Sequence, residues 1–163
     1  MSTTPVDTKH VTHRRHLRFD SLDDILADAE HLAHAGHLKT LGNWSVGQLF
    51  KHIAIVMNIA IDGTEVKPPW FVRIMGRYFM KGRMLARGMP AGFRLPDKQQ
   101  EAFYPQTEVS LEEGLQALRD AVQRLKTDRK RLPSVFLGPL TAEEWDQLHC
   151  RHAELHFSFI MPE

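Results

Sequence analysis

His149-Cys150-Arg151-His152-Ala153-Glu154-Leu155-His156 decides how the rest of the chain is read. Its three histidines stand at i, i+3 and i+7, so a helix carries all of them on one face. That face is also the apolar one. Trp145, Leu148, Leu155, Phe159 and Ile160 share the stripe, and Glu144, Gln147, Arg151, Glu154 and Ser158 fall opposite. His152 lies near the centre, where a bundle helix would carry Leu. Burying an imidazole without a partner costs roughly 1–3 kcal/mol. Two such groups one turn apart need a reason, and a shared metal ion is the economical one.

Working outward, the same start signal recurs four times, a hydroxyl residue followed three positions later by an acid or Gln. Ser21…Asp24, Ser45…Gln48, Ser110…Glu113 and Thr141…Glu144 each spell a capping box. Gly36, Gly63 and Pro133 are matching stops, which puts the first helix end near 36, the second near 62–63 and the third near 132–133. Each pattern has one apolar stripe. The first uses Leu22, Ile25, Leu26, Ala29, Leu32 and Ala33, the second Leu49, Ile53, Val56, Met57 and Ala60, and the third Leu111, Leu115, Leu118, Val122 and Leu125. Four amphipathic helices with one buried face each predict an all-α four-helix bundle over residues 19–163.

Residues 64–109 form a connection too long for a bare loop. Pro68-Pro69-Trp70-Phe71 predicts a short extra helix through about Arg83, with Trp70, Phe71, Ile74, Met75 and Tyr78 on one side and Arg73, Arg77 and Lys81 in a row beside them. Gly88-Met89-Pro90, Gly92 and Pro96 predict irregular chain over 88–107. A crossover of this length lets the second and third helices run parallel. From Val66 to Pro96 there are seven Lys or Arg and no acid. Residues 1–18 read as a polar arm, mobile or draped on the surface. His10, His13 and His16 in that arm could ligate a metal, but a solvated basic arm is the preferred reading.

Composition bounds the rest. The 163 residues suit one domain, and 42% hydrophobic with 25% charged is ordinary for a soluble protein. A net charge of +1 gives no argument for nucleic acid or for a membrane partner. No apolar run approaches a membrane span, no secretory signal is present, and the single Cys150 excludes an internal disulfide, so a cytoplasmic setting is expected.

Sorting the histidines sharpens the metal idea. The helical wheel turns His31 and His34 to the surface, and His37 follows Gly36 in a turn. His52 lies one turn past Leu49 and one before Val56, on the edge of the buried stripe. His52, His152 and His156 are therefore the expected ligands of a divalent ion, zinc or nickel, with one position left open for water or substrate. His149 is expected in the pocket wall, with a fourth ligand or a proton shuttle as the other roles open to it. Cys150 points off the stripe and is assigned neither ligation nor nucleophilic attack. The competing reading is a set of buried histidines satisfied by Glu, Ser or backbone carbonyls.

Gly42-Asn43-Trp44-Ser45-Val46-Gly47-Gln48-Leu49 with His52, and Leu148 through Phe159 with its HxxxH pair, resemble the DinB/YfiT-like superfamily of metalloenzymes, in particular a bacterial branch of unassigned function. Arg18-Phe19-Asp20-Ser21-Leu22-Asp23-Asp24 is similar to that branch as well, and the resemblance covers residues 17–162. It implies a four-helix bundle with a long crossover between helices two and three, often dimeric, binding zinc or nickel through His52, His152 and His156. It also implies a low-molecular-weight thiol as cosubstrate in a transferase or hydrolase reaction. On that reading a small molecule or thiol is the partner. The basic 66–96 segment, with Arg73 and Arg77, would wall the pocket or its lid and attract an anionic thiol or substrate; a solvated basic face is the equal alternative. The alternative is a non-catalytic bundle that binds metal or uses the Trp70–Tyr78 patch for dimerisation or a protein partner. A third, weaker reading rests the basic amphipathic segment on a membrane surface.

Overall fold

The computed structural model describes residues 5–163, apart from the side chain of Lys98. In chain order the elements are α1 (Leu22–His34), β1 (Leu38–Thr40), α2 (Val46–Asp62), α3 (Trp70–Met75), a π-helical turn (Gly76–Met80), α4 (Lys81–Arg87), α5 (Asp97–Phe103), α6 (Leu111–Thr127), α7 (Ala142–Phe157) and β2 (Ile160–Pro162). The chain is mostly helical, with one small two-stranded sheet. All four capping boxes are closed in both directions, at Ser21, Ser45, Ser110 and Thr141. Each satisfies two of the N–H groups that a helix start leaves free.

The apolar stripes of α1, α2, α6 and α7 meet in one buried cluster. Ile25, Ala29 and Leu32 pack with Phe50, Ile53 and Met57, with Leu115, Leu118 and Leu125, and with Ala153 and Phe157. α2 and α6 run parallel and are the closest pair. Near their starts the backbones touch, because a Cβ on Gly114 would lie 2.8 Å from the Gly47 Cα. Near their ends Arg124 donates to Asn58 Oδ1 at 2.9 Å and to both Asp62 carboxylate oxygens at 2.6 Å. Gly114→Ala is therefore expected to destabilise by about 1–3 kcal/mol through overpacking, even though Ala is intrinsically the better helix former. Urea denaturation measures it, and an unchanged or raised midpoint would contradict the backbone contact.

The structure departs from the sequence reading in five places. α6 stops at Thr127, about one and a half turns before 132–133, because Asp128 turns extended and the Arg131 guanidinium donates to the Leu125 and Asp128 carbonyls. α7 stops at Phe157, so Phe159 and Ile160 are not helical. Ile160 instead opens β2, which pairs antiparallel with β1 in the register Leu38↔Pro162, Lys39↔Met161, Thr40↔Ile160. The extra helix runs past Arg83 to Arg87, and its π turn falls where Gly76 lies against the Phe136 carbonyl carbon, 2.9 Å from where a Cβ would stand. The stretch 88–107, expected to be irregular, contains α5, opened by Pro96 and Asp97. Finally, Arg151 is buried rather than facing solvent. The arm covers that side of α7, so Arg151 donates to the Phe19 carbonyl and pairs with Glu154, whose carboxylate accepts from the Phe19 N–H at 2.6 Å.

The described part of the arm is draped on the protein. Asn43 clasps Val6 through two hydrogen bonds, the Arg15 N–H donates to the Ser158 carbonyl, and the Arg14 guanidinium sits over the Phe159 ring. Arg15 pairs with Asp28. His10, His13 and His16 form no cluster there, and His10 pairs with Asp7 instead. No helix among the described residues is long and apolar enough to cross a membrane.

Candidate metal centre

Three elements bring the site together. Two turns into α2, His52 points across the core. On the second half of α7, His152 and His156 point back at it. The β1–β2 ladder, extended by the Leu41 N–H to Phe159 carbonyl bond at 2.9 Å, ties the end of α7 to the chain entering α2.

The three Nε2 atoms converge. His152 Nε2 stands 3.2 Å from that of His52 and 3.0 Å from that of His156. One ligand atom from each of the three lies within 4.8 Å of the others. Three imidazole nitrogens bound tetrahedrally to one ion at ~2.0–2.1 Å would stand about 3.3 Å apart. The His52 tautomer is fixed as well. Its Nδ1 is 2.7 Å from the Phe103 carbonyl oxygen, which can only accept, so Nδ1 carries the proton and Nε2 presents its lone pair. Such a backbone carbonyl behind a histidine is the usual support of a metal ligand.

Electrostatics keep the donors neutral. Burial lowers His52 to about 4, against the opposing pull of the Phe103 carbonyl. Burial, then neighbouring histidines, holds His152 and His156 well below the ordinary histidine range. Neutral imidazole is the form that ligates. His152 Nδ1 is buried without a partner.

Aromatic rings frame the cluster. Trp44, just ahead of the α2 cap, stacks on His156 with centroids 5.9 Å apart and leans on His52 at 4.9 Å. Tyr104, at the end of α5, meets Trp44 edge-on at 4.9 Å and His52 at 5.8 Å. Tyr104 and the Phe103 carbonyl are the two partners that sequence reasoning missed. The available signals were Pro96-Asp97 as a helix start and the aromatic pair that ends it.

The histidines open onto a mostly apolar cavity of about 650 Å3. The crossover does wall this cavity, but with Val72, Gly76, Met80, Met84 and Phe93 rather than with its basic residues, Arg94 excepted. Arg73 and Arg77, expected in the pocket wall, are exposed and do not line the cavity; the Arg77 stem runs beside Gly138 and its guanidinium lies over the Tyr78 ring. The cavity face is taken by residues of small or apolar side chain at four-residue steps. His149 lines the cavity away from the triad, stacked on Trp145 at 5.4 Å, with its Nε2 unpartnered. Burial, then the Arg131 charge, lowers it to about 3. His31, His34 and His37 are on the surface. Cys150 is buried off the cavity, and burial followed by nearby carboxylates pushes its thiol up to about 12, which leaves it inert.

Fold and site together define a mostly helical protein with a three-histidine cluster that could hold a metal ion. Residues 11–163 match the family described as "Protein of unknown function (DUF1569)", and the chain belongs to that family. No curated protein and no solved structure matches it.

Proposed function

We propose that the chain is a four-helix bundle of the DinB/YfiT type that binds zinc or nickel through His52, His152 and His156. It then acts on a small molecule with water or a low-molecular-weight thiol as the nucleophile. The observation that supports this most directly is the His52 tautomer, whose lone pair is aimed at two further Nε2 atoms by a carbonyl bond behind it. A bound divalent ion would supply Lewis-acid activation, making a thiol or water acidic enough to attack at neutral pH.

The chain's own residues would do the rest. Trp44 and Tyr104 hold the imidazoles in place from one side. The apolar walls from α3 to Leu95 keep bulk water from the reacting groups, which strengthens polar interactions there. The test is consumption of glutathione-type or bacillithiol-type thiols, and hydrolysis without thiol, across a panel of electrophiles. Turnover that needs added metal and is lost in His52→Ala supports an enzyme. No turnover across the panel, with metal bound, leaves a non-catalytic bundle. One observation favours that second reading, the exposed apolar row on α3, which suits an interaction surface.

A further inference from the structure

The crossover segment from α3 through α4 is apolar on both sides. Its inner face, Val72, Gly76, Met80 and Met84, lines the cavity. Its outer face carries Trp70 at 72% exposure, Tyr78 at 68% and Phe79 at 69%, with Phe71, Ile74 and Met75 also exposed and Phe93 beside the cavity mouth. Chains that stand alone rarely leave so large an apolar patch in water. Cations surround the patch. Of the seven Lys and Arg between Val66 and Pro96, only Lys81 has a carboxylate partner among the described residues, Glu144 at 2.8 Å. Lys67, Arg73, Arg77, Arg83, Arg87 and Arg94 are exposed, and the segment has no acid of its own.

We propose that this outer face docks on an anionic lipid surface, with Trp70, Phe71, Tyr78 and Phe79 entering the headgroup boundary and the arginines pairing with lipid phosphates. Charge selects this occupant over a second copy of the chain. A two-fold interface would set the arginine-rich face against itself, and like charges across an interface cost several kcal/mol. A bilayer with anionic lipid attracts each basic residue and takes up the aromatic rings. The inner face of the same segment lines the apolar cavity, so one segment would serve as membrane contact and as cavity wall.

The experiment is co-sedimentation of the full chain with equimolar phosphatidylcholine–phosphatidylglycerol vesicles and with pure phosphatidylcholine vesicles, read alongside sedimentation velocity without lipid. Binding is expected to the mixed vesicles only and to weaken with salt. It should drop at least ~10-fold in Arg73→Glu/Arg77→Glu and at least ~10-fold in Trp70→Ser/Phe71→Ser. All four positions are exposed, and far-UV circular dichroism with thermal melting checks that each variant folds. Binding that survives Trp70→Ser/Phe71→Ser would overturn the proposal in favour of diffuse charge attraction. No vesicle binding, with a dimer that Trp70→Ser/Phe71→Ser converts to monomer, would overturn it in favour of an interface between copies. A monomer that ignores both vesicles would overturn it outright.

Discussion

Tag-free protein loaded with zinc or nickel is expected to carry about one equivalent of metal per chain, and His152→Ala less than about a tenth of that. His152 is the residue to change because its Nε2 is in contact with both of the others, at 3.2 and 3.0 Å. Without it, two nitrogens are left for an ion that takes four donors. His34→Ala is the matched control, since His34 is exposed and its Nδ1 is occupied by the Glu30 carbonyl at 2.6 Å. Binding to the folded state alone raises stability by about 4 kcal/mol at a thousandfold excess over Kd. A clear rise in Tm on loading is thus expected for wild type and His34→Ala and none for His152→Ala. Truncating a side chain in the core lowers Tm by itself, so the quantity to read is each variant's loaded-minus-apo difference. Equal metal in His152→Ala, or loss in His34→Ala, would sink the three-histidine assignment.

Metal-free protein is expected to lose stability steeply as pH falls below about 6.5. The sign follows from the depressed histidines. In the unfolded chain each takes a proton near 6.5, whereas the folded state holds His52 neutral to about 4 and His149 to about 3. Between those values the unfolded state binds more protons, so acid favours it. The folded state has its full advantage above 6.5 and loses it on the way down. For His52 alone the span corresponds to about 3 kcal/mol at full protonation of the unfolded chain. The raised carboxyls of Glu154 and Asp146 work the other way, but only in the carboxylate range. His149→Leu isolates one contributor, because His149 is not in the cluster and its Nε2 bonds to nothing. At pH 7.5 its Tm should stay close to wild type, and between pH 6.5 and 5 it should fall less. A parallel fall in both proteins would mean that His149 protonates without unfolding anything.

The features legible in the chain were those set by neighbours a few residues apart. Each capping box needs only four consecutive residues, and all four were readable. The inward faces of His52, His152 and His156 follow from helical period, which a stripe of Leu, Ile and Val makes visible. Where a distant segment decided the outcome, the chain was silent. Arg151 looks solvent-facing on a helical wheel, yet the chain leading from the arm into α1 covers it, and Phe19 there supplies its carbonyl partner. Phe159 and Ile160 keep the period of α7, but the pairing of Thr40 with Ile160 turns the chain out of the helix at Phe159 and into a strand at Ile160. Arg73 and Arg77 stay out of the cavity lining because Gly76 must press against Phe136, an orientation no local rule fixes. α5 is short and weakly patterned: Pro96-Asp97 marks its start, but nothing local marks the Phe103 carbonyl as the group that positions His52.

That carbonyl links two parts of the molecule thermodynamically. Phe103 ends α5, within the same crossover that carries the cavity wall and the exposed aromatic face. Any event that shifts α5 away from His52 frees its imidazole to rotate or change tautomer, and so weakens the grip of the triad. Linkage makes the traffic two-way: an ion held by His52, His152 and His156 stiffens the crossover by the same free energy with which a displaced crossover loosens the ion. Amide hydrogen exchange over residues 97–104 should therefore slow when metal is added, which would make the crossover a reporter of occupancy as well as a wall.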